Sequence, residues 1–245
     1  MCATLVPMSS KQKQVAVITG DVVRSTVIKD RARLAKVMKE AMEAADKSGF
    51  GVIRPFEIYR GDSFQGVVEV KDAMRVALTI RARLRQWEGP VQFSVAGRTD
   101  RTGGHRPLML SLLPDARVAI GVGTVSYRSS KVVESDGEAY RNSGRALDEL
   151  GRTWGRLALS TPWDDMNAEF HASMRLLDAL VSKWSSASAQ AMFLLLTKGS
   201  TQSELSRSLG ISQPAVHKRL SGADQNAVQA MIDRYEEIVV AKLKR

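Results

Sequence analysis

Two aspartates in the first third of the chain stand where strand-like segments end, and their side chains could share a metal ion. Asp21 follows the apolar run 15–20 directly, and Asp62 lies in the turn between the strand-like segments 52–59 and 63–70. A strand end and a hairpin turn on a neighbouring strand can meet at one edge of a sheet. Two carboxylates there suit hard cations such as Mg²⁺ or Mn²⁺, which prefer oxygen ligands. Two such ions would serve phosphoryl transfer by holding the attacking and leaving oxygens.

The segment after Asp21 carries groups that can hold a phosphate. Its backbone amides, with Ser25 and Thr26, precede a predicted helix at 29–47, and a helix N-terminus is a favourable place for an anion. A simpler interpretation stays open, because an aspartate at a strand end often only caps a helix. Gly-Asp is likewise an ordinary turn dipeptide.

The surrounding segments predict an α/β fold that would position these groups. Helices are predicted at 29–47, 72–87 and 137–151, and strands at 15–20, 52–59, 63–70, 91–97, 116–123 and 156–159. The order β-α-β-β-α-β-α-β indicates a sandwich of the ferredoxin-like or palm type, with helices against one mixed sheet. The basic stretch 81–85 is interpreted as a solvated helix face, with a phosphate-binding surface as the alternative.

Residues 201–220, TQSELSRSLGISQPAVHKRL, predict two short helices joined by a tight turn. Gly210 permits the positive φ of the turn, and Ser212 can cap the second helix. The pattern is that of a helix-turn-helix, whose second helix reads DNA; the alternative is a helical hairpin in an ordinary bundle. The residues predicted to contact DNA are Ser212, Gln213, His217, Lys218 and Arg219.

The composition limits the remaining choices. A net charge of +10 favours contact with nucleic acid. A single cysteine, Cys2, excludes an intrachain disulfide framework. Neither a signal peptide nor a membrane-spanning run is recognised, so a cytoplasmic location is expected. We expect a disordered N-terminus (1–13), a palm-like domain (14–162), a connecting helix (163–186) and an all-α helix-turn-helix domain (187–245).

Four segments resemble, in the same order, the catalytic domain of class III nucleotidyl cyclases over about residues 15–160. They are GDVVRST at 20–26, YRGDSF at 59–64, RVAIGVGTV at 117–125 and ESDGEAYRNSGR at 134–145. The resemblance implies that Asp21 and Asp62 bind metal ions, with the Val22 carbonyl as a further ligand. It also implies that Gly137 belongs to the nucleotide site and that Arg145 stabilises the transition state.

Other positions depart from the cyclase pattern. Glu134 replaces the base-reading Asp, Asp136 replaces the Trp, and Arg141 stands where the ribose-positioning Asn belongs. Ile58 occupies the place of a purine-selecting Lys, and Arg24 replaces the Gly beside the phosphates. The residues that bind metal in the cyclases are therefore kept, and those that contact the base and the ribose are altered. This pattern favours binding of a metal–triphosphate over cyclization.

Nearly the full length resembles the SatD family of bacterial proteins. The resemblance rests on ITGDVVRST, RGDSFQG, ARVAIGVG, SDGEAYRNSGRALDEL and the Trp184-containing helix before the helix-turn-helix. We therefore expect a homodimeric DNA-binding regulator whose palm-like domain binds or senses a nucleotide with Mg²⁺ or Mn²⁺. The alternative is an enzyme that makes a nucleotide signal from a nucleoside triphosphate. A third interpretation is that the front domain only dimerises.

Overall fold

The computed structural model describes residues 13–87, 113–126, 136–153 and 155–244. The predicted strand at 91–97, Glu134 and residues 1–12 of the predicted disordered start lie outside the described residues. Within them the strands are β1 (Val15–Val22), β2 (Val52–Tyr59), β3 (Ser63–Val68), β4 (Ala116–Gly123) and β5 (Leu157–Ser160). The helices are α1 (Arg31–Lys47), α2 (Ala73–Leu84), α3 (Glu138–Thr153), α4 (Asp164–Val181), α5 (Ser186–Lys198), α6 (Gln202–Leu209), α7 (Gln213–Ser221) and α8 (Gln225–Leu243).

The strands form one mixed sheet in the order β2-β3-β1-β4-β5. β1 lies in the centre and runs antiparallel to β3 and β4, whereas β5 joins β4 in parallel. Parallel neighbours need a crossover connection, and α3 supplies it between β4 and β5. The predicted α/β class is therefore confirmed, and the described elements from β1 to β5 follow the order β-α-β-β-α-β-α-β.

The central strand β1 is buried on both faces over residues 15–20, which explains why this part of its sequence is almost entirely apolar. Ile18 belongs to the core shared with α1 and α2, whereas Val17 belongs to a second cluster with Ala139 of α3. Because side chains alternate along a strand, α3 covers the face opposite α1 and α2. The backbones of α3 and β4 come so close that a Cβ at Gly121 would lie 2.2 Å from the Ser143 nitrogen.

Helix α2 is buried on nearly all sides, because α1, α4, α5 and the sheet pack around it. Only Arg75 and Arg83 of its 12 residues are not buried. The interpretation of residues 81–85 as a solvated face is therefore wrong, since Arg81 is 0% and Arg85 only 5% exposed. Both arginines are neutralised by aspartates that lie far away in the sequence.

The C-terminal helices share a core with the sheet. The Tyr235 hydroxyl of α8 donates to the Val70 carbonyl at 2.8 Å, and Arg75 of α2 pairs with Glu236 at 3.2 Å. One apolar cluster runs from β1 to α8. The predicted domain boundaries near 162 and 186 remain predictions, and the apolar packing continues across both.

Helices α6 and α7 meet through the short turn 210–212. Gly210 ends α6 with φ 63°, the left-handed conformation expected of a turn glycine. Leu205 of α6 and both Val216 and Leu220 of α7 are buried, as the sequence predicts. Among the described residues, no helix combines the length and the apolar character that crossing a membrane requires.

Candidate functional site

Asp21 lies at the end of β1, opposite Arg117 of β4. The Arg117 guanidinium donates two hydrogen bonds to the carboxylate, Nε to Oδ1 at 2.8 Å and Nη2 to Oδ2 at 2.5 Å. This is the two-pronged geometry of a strong arginine–carboxylate pair. The hydrogen bond from Arg117 to Asp21 raises the pKa of Arg117, and the charges of Asp21 and Asp62 raise it further.

Asp62 is brought to the same edge by the tight turn between β2 and β3. Arg60 and Gly61 both adopt positive φ there, 53° and 79°, and the Asp62 carbonyl accepts the Val22 amide at 3.0 Å. The Ser25 hydroxyl donates to the Asp62 carboxylate. The Ser25 hydroxyl, predicted to contact phosphate, is therefore already hydrogen-bonded to Asp62.

The pair of carboxylates has the donor chemistry of a hard-cation site, but one carboxylate is already occupied by a cation. Asp21 pairs with Ser63, the residue after Asp62, and the amide of Val22, the next residue of β1, donates to the Asp62 carbonyl. No group of three or more His, Cys, Asp or Glu side chains that could hold a metal occurs among the described residues. Oxygen donors of this kind suit Mg²⁺ or Mn²⁺, and such an ion would have to displace Arg117 from Asp21.

Gly137 lies just before α3, at the end of the sheet opposite the two aspartates, and Arg145 lies on α3. A Cβ at Gly137 would lie 2.6 Å from the Thr124 carbonyl, at the end of β4 where Gly123 pairs with Val15. Asp21 pairs six residues further along β1, which is about 20 Å at the usual rise of a strand. One chain therefore does not bring Gly137 to Asp21 and Asp62.

The Arg145 side chain is exposed and is held on its own helix. Its guanidinium donates to the Asn142 side chain at 3.0 Å and to the Arg141 carbonyl at 3.3 Å. Arg141 in turn pairs with Asp136 at 3.1 Å. The positions that depart from the cyclase pattern at the start of α3 thus form an ion pair with each other.

Helix α7 presents most of its predicted DNA-contacting residues to solvent. Gln213, His217 and Lys218 are exposed, as are Ser212 and Thr26. The backbone of Ser212 begins the helix, but its hydroxyl makes no capping hydrogen bond within the described chain.

Arg219 behaves differently from its neighbours on α7. It is half-buried, and its Nη1 donates to the Gln190 side chain of α5 at 3.0 Å. Arg219 could contact a DNA phosphate only if its side chain faced outward. The hydrogen bond to Gln190 instead holds its guanidinium against α5. Arg219 faces α5 because α5 packs beside α7.

A buried ion cluster beside the candidate site went unrecognised in the sequence. Asp115, just before β4, accepts two hydrogen bonds from Arg81 at 2.9 and 3.0 Å, one from Arg85 at 3.0 Å and one from Arg156 at 2.9 Å. Arg81 also donates to Asp178 of α4 at 2.8 Å. The cluster joins the sheet to α2 and α4.

Asp115 stays ionised because the arginines outweigh its burial. Burial alone would raise the pKa of this carboxyl, but the charge and hydrogen bonds of Arg81, with the charges of Arg85 and Arg156, lower it to about 2. The sequence signal that could have revealed the cluster was weak. It consisted of Arg81 and Arg85, four residues apart at the C-terminal end of a largely apolar helix that also carries Arg75 and Arg83.

Comparison with known proteins adds little to this description. No protein-family model matches the chain, and no curated protein matches it. Two solved structures, each of a bacterial light-regulated adenylyl cyclase, match at 12% identity with TM-scores of 0.37 and 0.36. In each case the match covers 63% of this chain and 45% of the other chain. A likeness at this level assigns neither an activity nor a ligand.

Proposed function

We propose that this chain is a cytoplasmic DNA-binding regulator that reads DNA with α7 and whose sheet domain binds a metal-bound nucleotide. The observation that carries the proposal is the outer face of α7. Gln213, His217 and Lys218 are exposed there, while Val216 and Leu220 anchor the opposite face in the core. This division is the one that a recognition helix needs.

The side chains on α7 suit the major groove. A glutamine amide can pair with adenine, and a lysine can meet guanine or a phosphate. In helix-turn-helix proteins the first helix crosses the DNA backbone while the N-terminal residues of the second contact base edges. The net charge of +10 favours approach to DNA.

A homodimer would place two copies of α7 on two half-sites. Helix-turn-helix proteins commonly bind DNA in this form. Leu176 of α4 is 68% exposed, whereas the apolar residues on the inner face of the same helix, such as Phe170 and Leu177, are buried. We assign it to the contact between the two copies.

The DNA-binding half is tested with fragments of genomic DNA selected by the purified protein. In a mobility-shift titration, Lys218→Ala and His217→Ala are each expected to weaken binding by at least fivefold, because a base or phosphate contact is lost. Lys36→Ala, which removes an exposed lysine from α1, serves as the matched control. Equal binding by all four proteins would contradict the assignment of α7.

The proposal that the sheet domain binds a nucleotide rests on the position of Asp21 and Asp62 at the same edge of the sheet. With the Val22 carbonyl, they would hold the cation, and Thr26 would contact a phosphate oxygen. The amides of Val22 and Val23 already donate to the Asp62 and Asp115 carbonyls, so they are not assigned to the phosphate. A bound divalent cation supplies positive charge to a triphosphate. Gly137 would serve the same ligand only from a second copy of the chain, because it lies at the opposite end of β1 from Asp21.

An enzyme is the second candidate, and the same convergence of Asp21 and Asp62 favours it. Incubation with each of the four common nucleoside triphosphates and Mn²⁺, followed by mass spectrometry, separates the candidates. A product that disappears in Asp62→Asn supports an enzyme, in which Arg145 stabilises the transition state. Metal-dependent binding without turnover supports a sensor. If neither binding nor turnover occurs, the front domain serves only for dimerisation.

A further inference from the structure

Among the described residues, three arginines and no acidic side chain line a cleft at the end of the sheet. Its volume is about 260 Å³, and it is bordered by Val23, Arg24, Arg117, Leu150, Gly151, Gly155 and Arg156. We propose that this cleft binds linked phosphates of a small ligand directly through Arg24 and Arg156, without a bridging metal ion. The inference deepens the nucleotide half of the proposed function, on which it rests.

Among the three arginines of the cleft, Arg24 has the guanidinium with the fewest polar contacts to the rest of the described chain. It is exposed, and within the described part of the chain its side chain makes no hydrogen bond or ion pair. Its backbone lies in the left-handed region, at φ 56° and ψ 33°. That conformation is unfavourable for a residue with a Cβ, and such strain collects at functional sites.

Arg156 contributes a second guanidinium that is only partly engaged. Its Nη1 donates to Asp115 at 2.9 Å, and its side chain is 24% exposed. Arg24 and Arg156 both border this cleft and a small adjoining cavity, which Asp115 also lines. Asp115 keeps Arg81 and Arg85 as partners if Arg156 turns toward a ligand.

The remaining walls keep the cleft open. A Cβ at Gly155 would lie 2.8 Å from the Leu150 side chain, and one at Gly151 would lie 3.0 Å from Nη1 of Arg117. Arg117 uses two of its nitrogens on Asp21 and therefore acts chiefly as a positive wall. Glycines at these two positions preserve the space that a larger residue would fill.

Phosphate is the ligand chemistry that these groups fit. Planar guanidinium groups match the spacing of phosphate oxygens and can donate two parallel hydrogen bonds. Two such groups facing one cleft can hold two linked phosphates. A metal-dependent site needs carboxylates, and none of the described residues that line the cleft carries one.

The test is calorimetric titration of the full chain with inorganic pyrophosphate in the presence of EDTA. The unmodified protein is expected to bind, and Arg24→Asn is expected to weaken binding at least tenfold, because asparagine tolerates the left-handed backbone but lacks the charge. Arg152→Asn, at an exposed arginine of α3 outside the cleft, should bind like the unmodified protein. Arg156→Lys should also weaken binding, since it keeps the charge and loses the forked donors.

Two results would contradict the proposal that the cleft binds phosphates. One is the absence of pyrophosphate binding without metal, and the other is an equal loss in Arg24→Asn and Arg152→Asn, which would mean general charge attraction. A parallel titration with ATP in EDTA shows whether the same phosphates are taken from a nucleotide. If pyrophosphate fails to bind but Mn²⁺-dependent nucleotide binding persists and is lost in Asp62→Asn, the cleft is refuted and the proposed function stands.

Discussion

Asp21 carries two conflicting assignments, a metal ligand by resemblance and an ion-pair partner of Arg117 by geometry. Both oxygens of the carboxylate accept from the guanidinium. A cation that binds Asp21 and Asp62 must therefore compete with Arg117. Arg117 thus sets how readily a metal enters.

Removal of Arg117 should make metal binding tighter. Arg117→Gln is expected to raise Mn²⁺ affinity about tenfold, or about 1.4 kcal/mol, because the competing positive charge is gone. Electron paramagnetic resonance of free Mn²⁺ measures this directly, with Arg152→Gln as the control for net charge. Unchanged or weaker Mn²⁺ binding in Arg117→Gln would show that the aspartates do not form a cation site.

Asp115 should make the stability of the protein depend on pH in the acid range. Its pKa is about 2 in the folded protein against an ordinary value of 3.8. The ionised group therefore stabilises the fold fully above about pH 4, and this contribution is lost as the pH falls toward 2. The amount is on the order of 2 kcal/mol.

Urea unfolding between pH 5 and pH 2 checks this expectation for Asp115. Asp115→Asn should lower the free energy of unfolding at pH 7 by about 3–5 kcal/mol, because three arginines lose their shared partner. The variant should also lose less stability than the unmodified protein on acidification. Parallel pH profiles for the two proteins would contradict the role of Asp115.

The sequence predicted the positions of Asp21 and Asp62 because strand ends and hairpin turns leave local signals. It did not predict the pairing of Arg117 with Asp21, which depends on the register between β1 and β4. Nor did it predict Arg219 against Gln190 or Asp115 against Arg81. Each of these pairs joins elements that are distant in the chain, so no local pattern records it.

At the scale of elements, the turn between α6 and α7 depends on one glycine. Gly210 has φ 63°, and a Cβ there would meet nothing within 4 Å. Any cost of substitution therefore comes from the backbone alone. Gly144 of α3 also has open space around its Cβ position, but it lies inside a helix.

Alanine at these two glycines should change stability in opposite directions. Gly210→Ala is expected to lower the free energy of unfolding by about 1 kcal/mol, because the left-handed backbone disfavours a Cβ. Gly144→Ala is expected to raise it by up to about 1 kcal/mol, because alanine favours a helix. Urea denaturation of both variants gives the comparison, and a shift of the same sign in both would refute the explanation.

Element boundaries followed from the sequence where caps and apolar stripes are strong. The first amphipathic helix ends at Lys47 as predicted, and α6 and α7 flank Gly210 as predicted. The environment of α2 did not follow, because an arginine in an apolar helix has the same sequence whether it faces water or a buried aspartate. Arg81 is buried because α4 and α5 pack against α2.

In the whole molecule, polar contacts connect the cleft to the end of α7. Asp115 binds both Arg156 at the cleft and Arg85 of the cluster, and Arg85 donates to the Trp184 carbonyl at 2.7 Å. The Trp184 indole donates to the Ala223 carbonyl at 3.0 Å, just after α7. The sheet and the C-terminal helices are therefore joined by hydrogen bonds as well as by a common core.

This connection predicts that the protein unfolds as one cooperative unit. Trp184→Phe should lower the free energy of unfolding by about 2–3 kcal/mol, since it leaves a small cavity and an unpaired carbonyl. The half-buried Trp163 provides a control, and Trp163→Phe should cost less. Far-ultraviolet dichroism and hydrogen exchange should report a single urea transition in both variants. Separate unfolding of α5–α8 would contradict the common core.

The central claim is that a ligand of the sheet domain controls DNA binding by α7. Its most direct test is a fluorescence-anisotropy titration of a selected DNA duplex, with and without each nucleoside triphosphate and Mn²⁺. We predict that one nucleotide changes the DNA affinity of the unmodified protein by at least fivefold, or about 1 kcal/mol. Asp62→Asn should bind the same duplex without this response. DNA affinity that is identical with and without every nucleotide would contradict the account.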